Sequence, residues 1–133
     1  GKYEVKSLVR SSVDTAKEAL CEKMKAVFEL AGAKIEFTGA YSGWAPNPKS
    51  EILSVMKDVY KALYGVEPEV KAIHAGLECG ILSGAYPNWD MVSFGPTLMS
   101  PHSPDEGAYI PSVEKVWEYL QAVLKSIPEC EKK

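Results

Sequence analysis

Asp14-Thr15-Ala16-Lys17-Glu18-Ala19-Leu20-Cys21-Glu22-Lys23-Met24-Lys25-Ala26-Val27-Phe28-Glu29-Leu30-Ala31-Gly32 is the stretch on which the fold turns. Ala16, Leu20, Met24, Val27, Phe28 and Ala31 recur at three-and-four spacing, the period of an amphipathic helix. Thr15, with Glu18 three residues on, has the form of a capping box, and Gly32 supplies the left-handed conformation that a helix end asks for. On both sides the period changes. Tyr3 to Arg10 alternates apolar and charged residues before running into Leu8-Val9, and Lys34-Ile35-Glu36-Phe37-Thr38 alternates again. This first part therefore reads as strand, helix, strand.

Further along, Tyr41-Ser42-Gly43-Trp44-Ala45-Pro46-Asn47-Pro48 concentrates proline and glycine, a composition suited to a crossing between substructures. The main boundary falls here, between residues 1–44 and 45–133. Asn47 then Pro48 opens a helix as N-cap and first residue, with Ile52, Val55, Met56, Val59, Tyr60 and Leu63 on one face before Gly65. Glu69 to His74 reads as a buried strand, Leu77 to Leu82 as a short helix and Asp90 to Phe94 as a short strand. A proline-rich irregular stretch runs to Pro111. The last helix, from about Ser112 to Pro128, carries Val113, Val116, Trp117, Leu120, Val123 and Leu124, which assigns Trp117 to the core. Strands alternating with helices place the chain in the α/β (α+β) class.

The 133 residues are 46% hydrophobic and 25% charged, which fits one soluble globular domain or two small pieces of larger ones, with a single modest core. Fifteen basic against eighteen acidic residues leave a net charge of −3 with no long run of either sign, a poor match for nucleic acid. No apolar stretch approaches the roughly 18 residues a bilayer span needs, and no leader pattern is present, so no membrane partner is expected and the location reads as cytoplasmic. Cys21, Cys79 and Cys130 have no paired short spacing, which argues against a disulfide framework and against a cysteine zinc site. Gly1-Lys2 stands where an initiator Met would, and reads as the start of a piece cut from a longer protein.

Chemistry concentrates in three places. In Ser100-Pro101-His102-Ser103-Pro104-Asp105-Glu106 two prolines stiffen the backbone around a histidine followed by two carboxylates. His102 is then either a metal ligand or general base, or a surface turn residue without function, and spacing alone favours the turn. In His74-Ala75-Gly76-Leu77-Glu78-Cys79-Gly80 small residues bracket an acid and a thiol at a strand's carboxyl end, where open α/β sheets hold ligands. Gly76 would admit a substrate close to the backbone and Glu78 would meet a cation or a ligand amine; equally, the glycines are turn and packing residues. Arg10 is the one arginine among fifteen basic residues, and its guanidinium suits a bidentate grip on a carboxylate as well as an ordinary strand end. There is no phosphate-binding glycine loop, serine elbow, paired-histidine helix or CxxC.

Taken in order, Leu8-Val9-Arg10-Ser11-Ser12, Tyr41 to Pro48, His74 to Gly80, Tyr86 to Thr97 and Pro101 to Glu106 closely resemble the C-terminal portion of the aminoacyl-histidine dipeptidase family. These are di-zinc metallopeptidases of the clan that includes aminoacylases and carnosinases. The resemblance covers nearly the whole chain. It implies a strand, helix, strand piece of a lid and dimerisation domain over residues 1–44, then the C-terminal part of the catalytic domain over 45–133. It implies two zinc ions per active site in the parent enzyme, with His102 as the last metal ligand. Arg10 becomes the lid arginine gripping the substrate's terminal carboxylate, Gly76 a residue near the bound dipeptide and Glu78 part of the same substrate-binding motif. The family's remaining ligands and its general-base glutamate lie upstream of these motifs, so no catalytic residue falls within the chain. Alone it is expected to be inactive and to bind zinc weakly. The implied partners are a dipeptide such as Xaa-His, the missing N-terminal part of the same enzyme, and a second copy in a homodimer or other self-association. The alternative is a small non-catalytic α/β module for ligand binding or association.

Overall fold

The computed structural model describes residues 1, 3–73 and 78–127. Its elements are α1 (Asp14–Leu30), α2 (Glu51–Tyr64), α3 (Glu78–Ala85), β1 (Leu98–Met99), β2 (Gly107–Ala108) and α4 (Ile110–Ser126). They fall into two compact units, Gly1–Pro48 with Lys71–Trp89, and Lys49–Val70 with Asp90–Lys133.

In the first unit α1 follows the periodicity, but its start differs from the expected capping box. Val13 is the N-cap and no side chain caps the helix, because helical geometry begins at Asp14 and leaves Thr15 inside the first turn. At the other end the left-handed Gly32 (φ 75°) donates its N–H to Glu29 O at 2.9 Å, and Ala33 donates to Phe28 O at 3.0 Å. This reciprocal pair is a Schellman motif. None of α1's side chains is buried. α3 begins where sequence placed a short helix and runs to Ala85. Beyond it Tyr86 and Trp89 stack, with ring centroids 4.2 Å apart and planes 9° from parallel.

The alternating segments 3–10 and 34–38 form no strand, and neither do 69–73 and 90–94; among the described residues the sole sheet is the β1–β2 pair. Alternation marks a segment with two unlike faces, whereas a strand also needs a neighbour to complete its hydrogen-bond ladder. The mixed α/β class holds. Its sheet component lies elsewhere than the alternation indicated.

The second unit is built on α2 and α4. α2 is capped by the buried Ser50, whose hydroxyl accepts from Leu53 N–H at 3.0 Å, so Ser50 rather than Asn47 opens the helix. The Ile52 N–H, another donor without an intrahelical partner, reaches Asp90 Oδ2 at 3.1 Å. Gly65, at φ 71°, closes α2 as expected. Met56 of α2 packs with Tyr119 and Val123 of α4, and Ile52, Val59, Tyr60, Tyr64 and Val92 surround them. Tyr119 donates its hydroxyl to Met56 O at 2.7 Å, and it meets Tyr60 and Phe94 edge to face.

Trp117 is 61% exposed, not core as the helical pattern indicated. α4 carries two apolar stripes. The one with Tyr119 and Val123 turns inward because a tyrosine ring buries like an aromatic while its hydroxyl finds a carbonyl, and the stripe with Val113, Trp117 and Leu124 stays outside. α4 also starts two residues before Ser112, with Pro111 in its first turn, where a missing N–H costs nothing. Pro128, the expected stop, lies outside the described residues, as does Cys130.

Candidate functional site

β1 and β2 pair antiparallel in the register Leu98 to Ala108 and Met99 to Gly107, so residues 100–106 form a hairpin loop that presents His102 at its turn. Two non-glycine residues of this loop are left-handed, Ser100 at φ 49° and His102 at φ 64°. That conformation costs on the order of 1–2 kcal/mol per residue and persists only where surroundings over-determine it. Here they do. The His102 N–H donates to Glu106 Oε2 at 2.6 Å, Ser103 Oγ donates to Ser100 O at 2.8 Å, and the Asp105 N–H reaches Ser103 Oγ at 3.2 Å. The Glu106 N–H closes the turn on Ser103 O at 3.1 Å. At the loop's base Tyr109 N–H binds Thr97 O, and Thr97 N–H binds Ser112 Oγ of α4, both at 2.9 Å. The backbone is thus fixed while the imidazole remains exposed. The sequence contained the signal for this clamp, a histidine with a glutamate four residues on, but not its geometry.

Arg10 and Glu78 lie in the first unit, and both are exposed. Arg10 directly precedes Ser11-Ser12, and Glu78 is the first residue of α3. The strap Tyr41-Ser42-Gly43 links these two segments through contacts that leave no room for side chains. A Cβ on Gly43 would lie 2.6 Å from Ser12 O, and one on Gly80 of α3 would lie 2.9 Å from Ser42 O. Gly84, one turn on, faces Ser42 Oγ. The Gly43 N–H donates to Asp14 Oδ1 at 2.8 Å, and Lys17 donates to the same oxygen at 2.7 Å and to Tyr41 O. The Lys17 ammonium, then the Gly43 N–H, hold the Asp14 carboxyl below its usual value. Sequence reading missed Asp14, Lys17 and Gly43. Only the glycine between Ser42 and Trp44 hinted at a close approach.

Gly76 and the neighbouring His74 lie outside the described residues. Among the described residues no three His, Cys, Asp or Glu side chains group so as to hold a metal ion. His102 is one donor, and the described residues do not complete a zinc site around it. In the second unit Lys115 sits 4.2 Å from the Tyr64 ring centroid and 5.0 Å from that of Tyr60, and donates to Tyr60 Oη at 2.9 Å. This cation is absorbed in packing. No described helix is long and apolar enough to cross a membrane.

No family model matches the chain. It is 43% identical over 125 residues to the cytosol non-specific dipeptidase of Escherichia coli (strain K12), a match over 94% of this chain and 26% of that protein. The crystal structure of aminoacylhistidine dipeptidase from Vibrio alginolyticus superposes with a TM-score of 0.77 at 48% identity, covering 91% of this chain and 25% of that one. The chain therefore spans about a quarter of the length of these relatives. Along nearly its whole length the chain is homologous to that quarter of these two dipeptidases.

Proposed function

We propose that this chain is part of a dipeptidase that hydrolyses Xaa-His and other dipeptides with the help of two zinc ions. Residues 1–44 would be the C-terminal part of its lid and dimerisation domain, and 45–133 the C-terminal part of its catalytic domain. His102 is a zinc ligand in this reading, and Arg10, Gly76 and Glu78 bind substrate, with Arg10 taking the terminal carboxylate. The observation that carries the reading is the clamped, exposed His102 in a chain similar to two proteins named as dipeptidases. A cytosolic location for the enzyme is supported by the name of the Escherichia coli relative. A single histidine is one donor of a two-metal site, so the remaining ligands and the base must come from the rest of the enzyme. The chain alone is expected to show no turnover and weak zinc affinity.

The chain's own contribution is positioning. Glu106 accepts from the backbone of His102 and leaves the imidazole nitrogens available. In the full-length protein, His102→Ala should lower dipeptidase activity by more than about 100-fold, beyond what loss of a supporting group costs, with little change in melting temperature. Unchanged activity would defeat the reading. A second reading, a small non-catalytic association module, draws on α1, where Val27 and Phe28 are exposed and no side chain is buried. That reading expects full activity from His102→Ala and an oligomer by light scattering.

A further inference from the structure

The strap Tyr41-Ser42-Gly43 touches both segments that carry the proposed substrate-binding residues of the first unit. On one side its Gly43 presses on the carbonyls of Ser11 and Ser12, the residues that follow Arg10; a Cβ there would lie 2.9 Å and 2.6 Å from the two oxygens. On the other side Ser42 lies against Gly80 and Gly84 of α3, the helix that Glu78 begins. Asp14 locks the strap by accepting from Gly43 N–H at 2.8 Å, and Lys17 ties Asp14 to the Tyr41 carbonyl. The clashes at Gly43 and Gly80 are with backbone carbonyls, and Asp14 and Lys17 hold the strap by its backbone N–H and C=O. A shift of the strap therefore moves the chain that carries Arg10, not only a neighbouring side chain.

We propose that Gly43 and Asp14 are positioning residues for Arg10, holding its segment in register with α3 so that the guanidinium meets the substrate's terminal carboxylate. This rests on the reading in which Arg10 takes that carboxylate. A bidentate guanidinium grip tolerates little misplacement, since two parallel hydrogen bonds must be aligned at once. Any Cβ at residue 43 drives Ser12 away. Loss of the Asp14 carboxylate releases Gly43 N–H and frees Lys17 from its ion pair.

The test uses the full-length enzyme and a dipeptide substrate. Gly43→Ala should raise KM by about tenfold or more, because displacement of a positioning group by a fraction of an ångström already weakens alignment. Its kcat should stay within about threefold, the pattern of lost binding shared by ground and transition states. Asp14→Ala should act in the same direction more weakly, while Asp14→Asn, whose amide oxygen still accepts from Gly43, should restore most of the loss. In an Arg10→Ala background neither substitution should raise KM further, since the group they position is gone.

Three results overturn the proposal. One is an unchanged KM in folded Gly43→Ala while Arg10→Ala raises it, which leaves the Arg10 reading intact. Another is an effect that simply adds to Arg10→Ala, which marks a general structural role. The last is an Arg10→Ala enzyme with normal KM, which removes the underlying reading together with the proposal. If Gly43→Ala does not fold, the half-exposed Asp14 decides alone: unchanged KM in Asp14→Ala overturns the proposal, and a raised KM rescued by Asp14→Asn supports it.

Discussion

The two compact units of this chain are held together by different means. In the second, α2 and α4 bring side chains together: Met56, Tyr119 and Val123 exclude water, and rings of Tyr60, Tyr64 and Phe94 meet edge to face around them. In the first, α1 buries no side chain, and the tight contacts are glycine Cα against carbonyl, or carboxylate against N–H. A side-chain core gains stability roughly in proportion to apolar area removed from water. A backbone junction gains little from area and instead fixes relative position. Of the residues proposed to bind substrate, Arg10 and Glu78 stand on the two segments that this junction joins.

The contrast breaks first, if it breaks, at Met56. Met56→Ala should destabilise the second unit by about 2–5 kcal/mol, the usual cost of a large-to-small change in a packed site, read as a lowered urea midpoint with unchanged slope. A cost below about 1 kcal/mol would mean the site collapses freely and the side-chain core is not what holds the unit. Next in size is Gly43→Ala, at about 1–3 kcal/mol from overpacking, since the clash is with backbone and no rotamer relieves it. Thermal unfolding followed by circular dichroism would measure it. Equal melting temperatures would show that Ser12 yields, and the junction would then be looser than its geometry indicates.

Tyr119→Phe sharpens the same comparison. It keeps the ring and its edge contacts but deletes the hydrogen bond to Met56 O, for an expected loss of about 1 kcal/mol. Trp117→Ser should change stability by less than about 0.5 kcal/mol, because the indole is already in water. A large effect at Trp117 and none at Tyr119 would reverse the assignment of α4's two stripes.

What could be read from sequence follows the same division. The helices were legible because their signals are local: the apolar face of 51–64, and Gly32 and Gly65 at the ends, whereas Pro111, read as the end of an irregular stretch, lies in the first turn of α4. Choosing between Asn47 and Ser50 as cap depended on which one stands three residues before a free N–H. Trp117 was misplaced because hydropathy ranks tryptophan above tyrosine, whereas Tyr119 has a carbonyl to receive its hydroxyl. The strands at 3–10 and 34–38 were misread because pairing is not a property of one segment. The hairpin around His102 was invisible for the opposite reason: its left-handed positions hold serine and histidine, not the glycine or asparagine that usually announce such a turn. His102, Arg10 and Glu78 were named from motif text, while Asp14 and Gly43, far apart in sequence, met only in the fold.

The smallest expected effect concerns that last pair. The Asp14 carboxyl is held below its ordinary value of 3.8, first by the Lys17 hydrogen bond and then by the Gly43 N–H. A carboxyl whose folded value is depressed contributes stability that is complete above its unfolded value and fades as pH falls through the folded one. Asp14→Asn removes the titration. The difference in melting temperature between wild type and this variant should therefore be constant from neutral pH down to about 4, shrink below that, and close in stronger acid. Salt should diminish it throughout, because the pair is solvent-accessible and screened. A gap that persists unchanged at the lowest pH would mean that Asn disturbs the Gly43 contact itself. The junction would then depend on the shape of the acceptor at residue 14 more than on its charge.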